Sequence, residues 1–257
     1  MKTYSKWFII FICTIFSFNL YAGDKSSFLK KQFTTKNGYK LNYRILYPLN
    51  YSPDKEYPLI LFLHGAGERG DNNEAQLTHG GDMLSSYENQ AKYPAIIIAP
   101  QCPNDETWAP IISYWNEFPQ QAPITPAMKA VKEMVDNYIA KGIVNTKRIY
   151  VTGLSMGGMG SYDAVCRFPN FFAAATPICG AINTKRLESY KGKTAFSLYH
   201  GGADQVVNTQ FSRDAFSILK GINIEVRYKE YPGVDHGSWN NAFAEPDYLS
   251  WMLDHSL

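Results

Sequence analysis

Short, continuously apolar runs alternate with amphipathic segments along most of this chain. The runs Pro58–Leu63 and Ala95–Ala99 are typical of strands that are buried on both faces of a parallel sheet. Further strands are predicted at Ile149–Thr152, Ala173–Ile178, Ala195–Tyr199 and Ile224–Tyr228. Helices are predicted at Thr125–Ala140, Met156–Arg167, Asn208–Lys220 and Ala244–Leu253. The first of these helices has clear end signals, with Thr125 as N-cap, Pro126 at the first helical position and Gly142 as the stop.

The alternation of strands and helices indicates a doubly wound, mostly parallel α/β sheet. The segment Gln32–Leu49 alternates between apolar and polar residues around Asn37-Gly38, and it therefore predicts an antiparallel hairpin at the edge of that sheet. Two long connections, 66–94 and 101–125, are expected to be irregular. Loops of this length within a compact domain tend to carry function.

The N-terminal segment has a composition of its own. Two lysines precede an apolar stretch from Trp7 to Phe18, which is shorter than the roughly 20 residues that a membrane-spanning helix needs. The pattern predicts a signal peptide, residues 1–22, cleaved after Ala22. An uncleaved anchor is the alternative, because the third residue before the cut is Leu20. Residues 23–257 are then expected to form a single domain, secreted or periplasmic, since they suffice for one sizeable core.

Composition argues against several functional classes. The formal net charge of +2 comes from Lys2 and Lys6, so the rest of the chain is balanced and nothing indicates binding to nucleic acid. After signal cleavage no apolar run is long enough to predict membrane association. Cys102, Cys166 and Cys179 allow at most one disulfide, and none is assigned. Neither a CxxC motif nor a histidine-rich spacing is present, so no metal site is predicted.

A G-x-S-x-G motif lies where a predicted strand meets a predicted helix. Gly153-Leu154-Ser155-Met156-Gly157 follows the strand at 149–152. A nucleophile on such a turn is held in a strained conformation that projects its hydroxyl above the sheet, and small neighbours permit the close approach. Ser155 is therefore the candidate nucleophile. The alternative is a glycine-rich turn without chemistry.

A serine nucleophile needs a base, and the base needs an orienting acid. Asp204 lies on the loop after the strand at 195–199, and His236 lies on a glycine-flanked loop after the last predicted strand. The competing bases are His79, His200 and His255. None of them combines a loop position, a place after the nucleophile and the acid, and flanking glycines. Asp235 is the rival acid, but as the neighbour of His236 it is expected to be solvated or to cap its loop.

Two backbone N–H groups are needed to stabilise a tetrahedral oxyanion. The first is expected from Met156, the residue after the nucleophile. The second is expected from the segment 61–70, where a buried strand ends in HGAG. Ala66 is the preferred donor and Gly65 the reserve. The alternative is an ordinary glycine turn in which His64 is satisfied within the core.

Several motifs together resemble one branch of the α/β hydrolases. They are LFLHGAGERG, APQCP, GLSMGG, HGGADQVV and GVDHGSW. From Pro58 to Leu257 the chain resembles the esterase-D/feruloyl-esterase and "predicted peptidase" proteins, which are related to dienelactone hydrolases and prolyl-oligopeptidase catalytic domains. The order serine, aspartate, histidine is the one expected of that fold. The resemblance implies the triad and oxyanion roles given above, and no cofactor.

The resemblance also implies an activity, that of a serine carboxylic-ester hydrolase with an acyl-serine intermediate. Acyl or hydroxycinnamoyl esters of small molecules or polysaccharides are the expected substrates. Trp108, Trp115 and Trp239 are predicted near the site, where their faces suit such groups, although they could equally pack under the loops. Two alternatives stay open: a serine peptidase without a gating domain, and a catalytically dead carbohydrate-binding fold. The oligomeric state is open as well.

Overall fold

A mixed sheet of eight strands forms the centre of the computed structural model, which describes residues 23–113 and 117–257. The predicted signal peptide, residues 1–22, lies outside these described residues. The strands are β1 (Leu29–Thr34), β2 (Lys40–Leu46), β3 (Tyr57–Leu63), β4 (Ile96–Pro100), β5 (Val144–Leu154), β6 (Ala174–Ile178), β7 (Ala195–Gly201) and β8 (Val226–Tyr231). Their order across the sheet is β1-β2-β4-β3-β5-β6-β7-β8.

Strand directions confirm the predicted mostly parallel α/β sheet with an N-terminal antiparallel hairpin. β1 pairs with β2 in antiparallel register, from Leu29 opposite Ile45 to Thr34 opposite Lys40. Gly38 has a positive φ of 84° in the turn between them, a conformation that glycine adopts without steric cost. β2 is also antiparallel to β4, whereas the remaining neighbours are parallel.

Helices occupy most of the connections between the parallel strands. They are α1 (Gly81–Ser85), α2 (Tyr87–Lys92), α3 (Pro126–Ala140), α4 (Met156–Arg167), α5 (Thr184–Glu188), α6 (Gln210–Gly221), α7 (Trp239–Phe243) and α8 (Tyr248–Leu253). The oxygen of the Thr125 hydroxyl accepts a hydrogen bond from the N–H of Met128 at 3.2 Å, so α3 begins as its sequence predicts. Within residues 23–113 and 117–257, no helix combines the length and the apolarity needed to cross a membrane.

The central position of β3, between β4 and β5, explains why its sequence is apolar without interruption. Leu59, Leu61 and Leu63 point to one face, where α3 and α4 pack, while Ile60 and Phe62 point to the other face, where α8 packs. All five side chains are at most 1% exposed. Burying such a side chain stabilises the fold by about 1.5–3 kcal/mol relative to leaving it in water. The strand therefore contributes side chains to both apolar layers, and its burial fixes the position of the loop that follows Leu63.

The C-terminal helix differs from its prediction. Instead of a helix over 244–253, the structure has a turn at 244–247, which contains Pro246, and α8 begins only at Tyr248. Proline has no N–H, and it disfavours the helical conformation in the residue before it, Glu245. The N–H of Tyr248 donates to the carbonyl oxygen of Glu245 at 3.1 Å and closes this turn. The prediction was wrong in its first four residues, and it did not include α7, the short helix that begins at Trp239.

The three cysteines of the described residues are free thiols. Cys102 and Cys179 are buried, and Cys166 is partly buried. Burial raises the pKa of both Cys166 and Cys179 to about 12, so these thiols stay protonated at neutral pH. They pack as small apolar groups.

The start of α4 lies very close to the end of β3. A Cβ atom added at Gly157 would come within 1.9 Å of the carbonyl oxygen of Leu63, and one added at Gly153 within 2.5 Å of the same oxygen. These contacts are with backbone, which cannot swing aside as a side chain can. Glycine at both positions therefore lets β3, β5 and α4 meet, and the sharp turn at Ser155 depends on that meeting.

We predict that Gly157→Ala destabilises the protein severely, by about 3 kcal/mol or more, because overpacking against backbone has no relaxation route. Gly221→Ala is the matched control, since a Cβ at Gly221 meets no atom within 4 Å, and its stability should stay within about 1 kcal/mol of wild type. Denaturant unfolding measures both variants. Equal stabilities for the two would contradict the close-approach argument.

Candidate active site

Ser155 lies between the last residue of β5 and the first residue of α4. Its φ of 53° and ψ of −116° are unusual for a residue with a side chain, and such strain is held only where the surroundings impose it. The N–H of Ser155 donates to the carbonyl oxygen of Ile178 at 2.9 Å, and its own carbonyl accepts from the N–H of Met159 at 3.0 Å. The turn is thus fixed to β6 on one side and to α4 on the other.

The structure brings Ser155, His236 and Asp204 into one hydrogen-bonded row. His236 Nε2 lies 2.9 Å from Ser155 Oγ, and His236 Nδ1 lies 2.8 Å from Asp204 Oδ2. An ionised carboxylate can only accept, so Nδ1 carries the proton and Nε2 is left free to accept the serine hydroxyl proton. A row of this kind can raise the nucleophilicity of the hydroxyl and stabilise the imidazolium that forms.

Asp204 is held as an ionised carboxylate in a nearly buried position, 8% exposed. Its Oδ1 accepts from the N–H groups of Val206 and Val207 at 2.8 and 2.9 Å. Burial alone raises the pKa of this carboxyl, but hydrogen bonds from His200, His236 and the two N–H groups outweigh burial and hold the pKa well below its usual range. The carboxylate therefore stays charged at any pH near neutral.

The carboxylate of the rival acid, Asp235, binds backbone N–H groups. Its Oδ1 accepts from the N–H of Gln205 at 3.0 Å and from the N–H of His236 at 2.8 Å. The carboxylate thus links the loop after β7 to the loop after β8, which matches the capping role expected for it. By tying these two loops together, Asp235 fixes the separation of Asp204 and His236.

The competing histidines have partners other than Ser155. His79 Nε2 is 3.5 Å from Glu68 Oε1, and His255 Nε2 is 3.0 Å from Glu225 Oε1 near the C-terminus. His200 is fully buried near the end of β7, and its Nε2 lies 3.2 Å from Asp204 Oδ2, the oxygen that His236 also contacts. Sequence reasoning weighed His200 only as a base and missed this contact.

The two candidate oxyanion donors begin the helical turns that flank the nucleophile. Met156 is the first residue of α4, and Ala66 is the first residue of a short 3-10 helix, Ala66–Glu68, that follows β3. N–H groups at helix starts lack a partner within their own helix. Among the described residues, neither N–H donates to another residue. Both are therefore available to an oxygen bound near Ser155.

His64 fixes the loop that carries Ala66. Burial lowers the pKa of His64 to about 4, so the ring is neutral. Its Nδ1 contacts the carbonyl oxygen of Gly65 at 2.6 Å, and its Nε2 accepts from the N–H of Cys102 at 2.9 Å. The ring is satisfied in the core and connects the loop after β3 to the loop after β4.

Trp108 does not line an open site, and its predicted substrate role is wrong. Its side chain is completely buried, and its indole N–H donates to the carbonyl oxygen of His64 at 3.1 Å. Trp115 lies outside the described residues. Trp239 is partly exposed, and its ring lies between His236, at 5.4 Å, and His79, at 5.0 Å, measured between ring centroids. Of the three predicted tryptophans, Trp239 is therefore the one seen beside the candidate base.

A further neighbour of the row is Cys179, at the end of β6. Its sulfur, a carboxylate oxygen of Asp204 and a ring nitrogen of His236 lie within 4.8 Å of one another. Metal ligation requires a thiolate, whereas the buried thiol has its pKa raised to about 12. The Asp204–His236 hydrogen bond already accounts for the approach of the other two groups. The cluster is therefore explained without a metal.

The fold and this site together define a class of protein. The strand order, the strained serine turn between β5 and α4, and the acid and histidine on the loops after β7 and β8 are those of the α/β-hydrolase class. Every part of the row lies at the C-terminal end of the parallel strands, where open α/β sheets bind their ligands.

Comparison with known proteins places the chain within that class. The family model described as Phospholipase/Carboxylesterase matches residues 50–246, and the chain belongs to this family. The curated protein "Probable carboxylesterase SOBER1-like" of Arabidopsis thaliana is 27% identical over 210 residues, which cover 75% of this chain and 77% of that protein. The "Bifunctional acetylxylan esterase/xylanase XynS20E" of Neocallimastix patriciarum is 27% identical over 163 residues, which cover 63% of this chain and 21% of that protein.

Among solved structures, a thermostable esterase superposes with a TM-score of 0.80 and 31% sequence identity. The match covers 90% of this chain and 64% of that one, so this chain spans slightly less than two thirds of the length of the esterase. Family membership and these relatives make the chain an esterase-type hydrolase.

We predict that Asp204→Asn lowers kcat by on the order of 10³ to 10⁴, because the amide no longer enforces the Nδ1–H tautomer of His236. Asp235→Asn is the matched control, since an amide oxygen can still accept the two N–H groups, and it should change kcat by less than about threefold. Steady-state hydrolysis of p-nitrophenyl acetate measures both. Similar losses in the two variants would contradict the assignment of the acid.

Proposed function

We propose that the mature protein is a secreted serine carboxylesterase that works through an acyl-Ser155 intermediate. The family assignment supports ester hydrolysis in general. The observation that carries the finer proposal is the hydrogen-bonded row from Ser155 Oγ through the His236 ring to Asp204 Oδ2, with distances of 2.9 and 2.8 Å. Both distances are within hydrogen-bonding range, so the three side chains are aligned for the first step.

In that step, Ser155 Oγ attacks the carbonyl carbon of the ester while His236 Nε2 takes the hydroxyl proton. The carbonyl oxygen becomes an oxyanion, which the N–H groups of Met156 and Ala66 are proposed to bind. The carbon–oxygen bond to the alcohol then breaks, and the alcohol leaves with the proton from His236. Water, deprotonated by the same nitrogen, next attacks the acyl-serine carbonyl carbon. The bond from that carbon to Ser155 Oγ then breaks, His236 Nε2 returns the proton to Oγ, and the carboxylic acid is released.

The proposed substrates are acyl or hydroxycinnamoyl esters of carbohydrates. Support comes from Trp239, whose partly exposed ring lies beside both His236 and His79, and from Glu68, which contacts His79 at 3.5 Å. An aromatic face next to a carboxylate and an imidazole suits a sugar or a phenolic ring that carries hydroxyl groups. The acetylxylan esterase among the relatives acts on esters of this class, by its name.

Secretion is proposed from the sequence of residues 1–22. The two lysines and the apolar stretch that follows them are typical of a signal peptide. A polysaccharide ester is an extracellular substrate, so export would bring the enzyme to the substrates proposed for it.

A single labelling experiment tests both the nucleophile and the compartment. Cells that express the full chain are fractionated, and each fraction is treated with a fluorophosphonate probe, which reacts with activated serines. We expect one labelled protein in the exported fraction, with its N-terminus at Gly23, and no labelling of Ser155→Ala. Ser189→Ala, on an exposed serine, is the control and should label as wild type does. Labelling that survives Ser155→Ala would refute the nucleophile, and a labelled protein confined to the cytosol would refute secretion.

Trp239 provides the test of substrate class. We predict that Trp239→Ala raises KM roughly tenfold for acetylated xylan oligomers or methyl ferulate, since an aromatic contact is worth about 0.5–1.5 kcal/mol beyond area burial. Hydrolysis of p-nitrophenyl acetate should change less than about threefold. The control is Trp251→Ala, because the Trp251 ring packs on His255 and Arg227 instead. If the enzyme shows no preference for these esters over p-nitrophenyl acetate or over a peptide amide, the carbohydrate proposal is contradicted.

A further inference from the structure

A second histidine contacts the acid of the row. His200 lies near the end of β7, completely buried, four residues before Asp204. Its Nε2 is 3.0 Å from the carbonyl oxygen of Val207 and 3.2 Å from Asp204 Oδ2. The N–H of Val207 in turn donates to Asp204 Oδ1 at 2.9 Å. His200 and Val207 therefore contact the carboxylate in addition to His236.

The surroundings of the His200 ring determine where its proton lies. The two groups near Nε2 are a carbonyl and a carboxylate, which only accept, so Nε2 carries a proton in every charge state of the ring. Nδ1 faces the hydroxyl of Ser212 on α6 at 2.7 Å. A hydroxyl can either donate or accept, so it satisfies Nδ1 of the neutral ring. The result is a fixed N–H directed at the loop of the acid.

We propose that His200 is a positioning residue, which orients Asp204 toward His236 and withdraws part of its negative charge. The inference rests on the proposed triad. Asp204 Oδ2 has two imidazole neighbours, with Nδ1 of His236 at 2.8 Å and Nε2 of His200 at 3.2 Å. The N–H of His200 donates to the carbonyl oxygen of Val207, and its positive end also lies near Oδ2, so Oδ2 attracts the Nδ1 proton of His236 less strongly than it would without His200. His200 thereby limits how firmly Asp204 holds the imidazolium form of His236.

Other charged groups around His200 are already engaged. On β8, Glu230 is paired in register with His200, and its carboxylate accepts from Arg213 of α6 and from the Tyr228 hydroxyl. These hydrogen bonds lower the pKa of Glu230 to about 2. On β6, the thiol of Cys179 is protonated because burial raises its pKa to about 12. On α4, the buried hydroxyl of Tyr162 lies toward Ser212, and burial raises its pKa.

On the far side of the acid loop, Asp235 is bound to two backbone N–H groups. How strongly Asp204 Oδ2 attracts a proton therefore depends on the two imidazoles that contact it. If the N–H of His200 is removed, the carboxylate becomes more basic and stabilises the imidazolium of His236 more. We therefore expect such a variant to lose its base at a higher pH than the wild type does.

The test compares three substitutions of His200. His200→Gln can keep an N–H donor at the position of Nε2, whereas the side chain of His200→Asn is too short to reach Asp204 and His200→Leu has no donor. We expect the Asn and Leu variants to lose about tenfold in kcat with little change in KM. We also expect the acidic limb of their kcat/KM profile to move up by about half a pH unit. His200→Gln should stay within about threefold of wild type, with an unmoved limb.

Two readouts separate this proposal from the proposed function. The profile is measured with p-nitrophenyl acetate, and also as the rate of fluorophosphonate labelling at each pH, which needs no knowledge of the natural ester. If the wild type labels but turns over no carbohydrate ester, the substrate proposal fails while the His200 proposal is still tested. If the wild type does not label at all, the triad itself fails, and this inference fails with it.

Tyr150→Phe is the control for a purely structural loss. The Tyr150 hydroxyl donates to the carbonyl oxygen of His255 at 2.7 Å, so its removal should lower the melting temperature and leave the acidic limb unmoved. The His200 proposal is overturned if the limb is unmoved in His200→Asn and His200→Leu, or if His200→Gln loses as much activity as they do. Failure of both Asn and Leu variants to fold, with a normal Gln variant, would assign His200 to folding and overturn the proposal as well.

Discussion

The contact between the carbonyl oxygen of Leu63 and Gly157 is the constraint on which the site depends. A side chain at position 157 would overlap that oxygen, so β3 and the first turn of α4 can meet only through glycine. This meeting forces the chain to reverse within one residue, and Ser155 takes up the strain with a φ of 53°. The same contact sets the loop after β3, which carries Ala66, beside the serine. The candidate nucleophile and the loop of the candidate oxyanion donor Ala66 are thus positioned by one close approach of two backbone segments.

The remaining parts of the site come from more distant strands, and polar side chains fix their loops. Asp235 ties the loop after β7 to the loop after β8, while His64 ties the loop after β3 to the loop after β4. Each tie is a side chain that bonds backbone groups of another loop, so position is fixed without a covalent link. The His64 tie satisfies buried polar groups, each of which would cost about 1–3 kcal/mol if left unpaired, whereas the Asp235 tie lies at the exposed surface. Alignment of the row and stability of the sheet edge therefore have a common origin.

Most of this architecture could be predicted from local sequence. The apolar runs gave the buried strands, and the end signals around α3 and the G-x-S-x-G turn placed those helices within a residue or two of their observed bounds. Features set by contacts distant in sequence could not be predicted this way. Trp108 lies in a loop rich in aromatic residues, which favoured a role in ligand binding. In the fold, however, its indole N–H donates to the carbonyl oxygen of His64 inside the core. Pro246 shows the opposite failure, because its local signal was available and was outweighed by the apolar spacing around it.

His200 shows why the residues that support a site are harder to find than those that perform the chemistry. A nucleophile or base is recognised by its motif and by its order in the chain, whereas a supporting residue is recognised only by what it contacts. A carboxylate that is 8% exposed remains charged only if donors surround it, since burial by itself favours the neutral acid. Two backbone N–H groups satisfy one oxygen of Asp204, and the Nδ1–H of His236 donates to the other oxygen. His200 places a second imidazole N–H 3.2 Å from that same oxygen, a contact that becomes visible only in the folded chain.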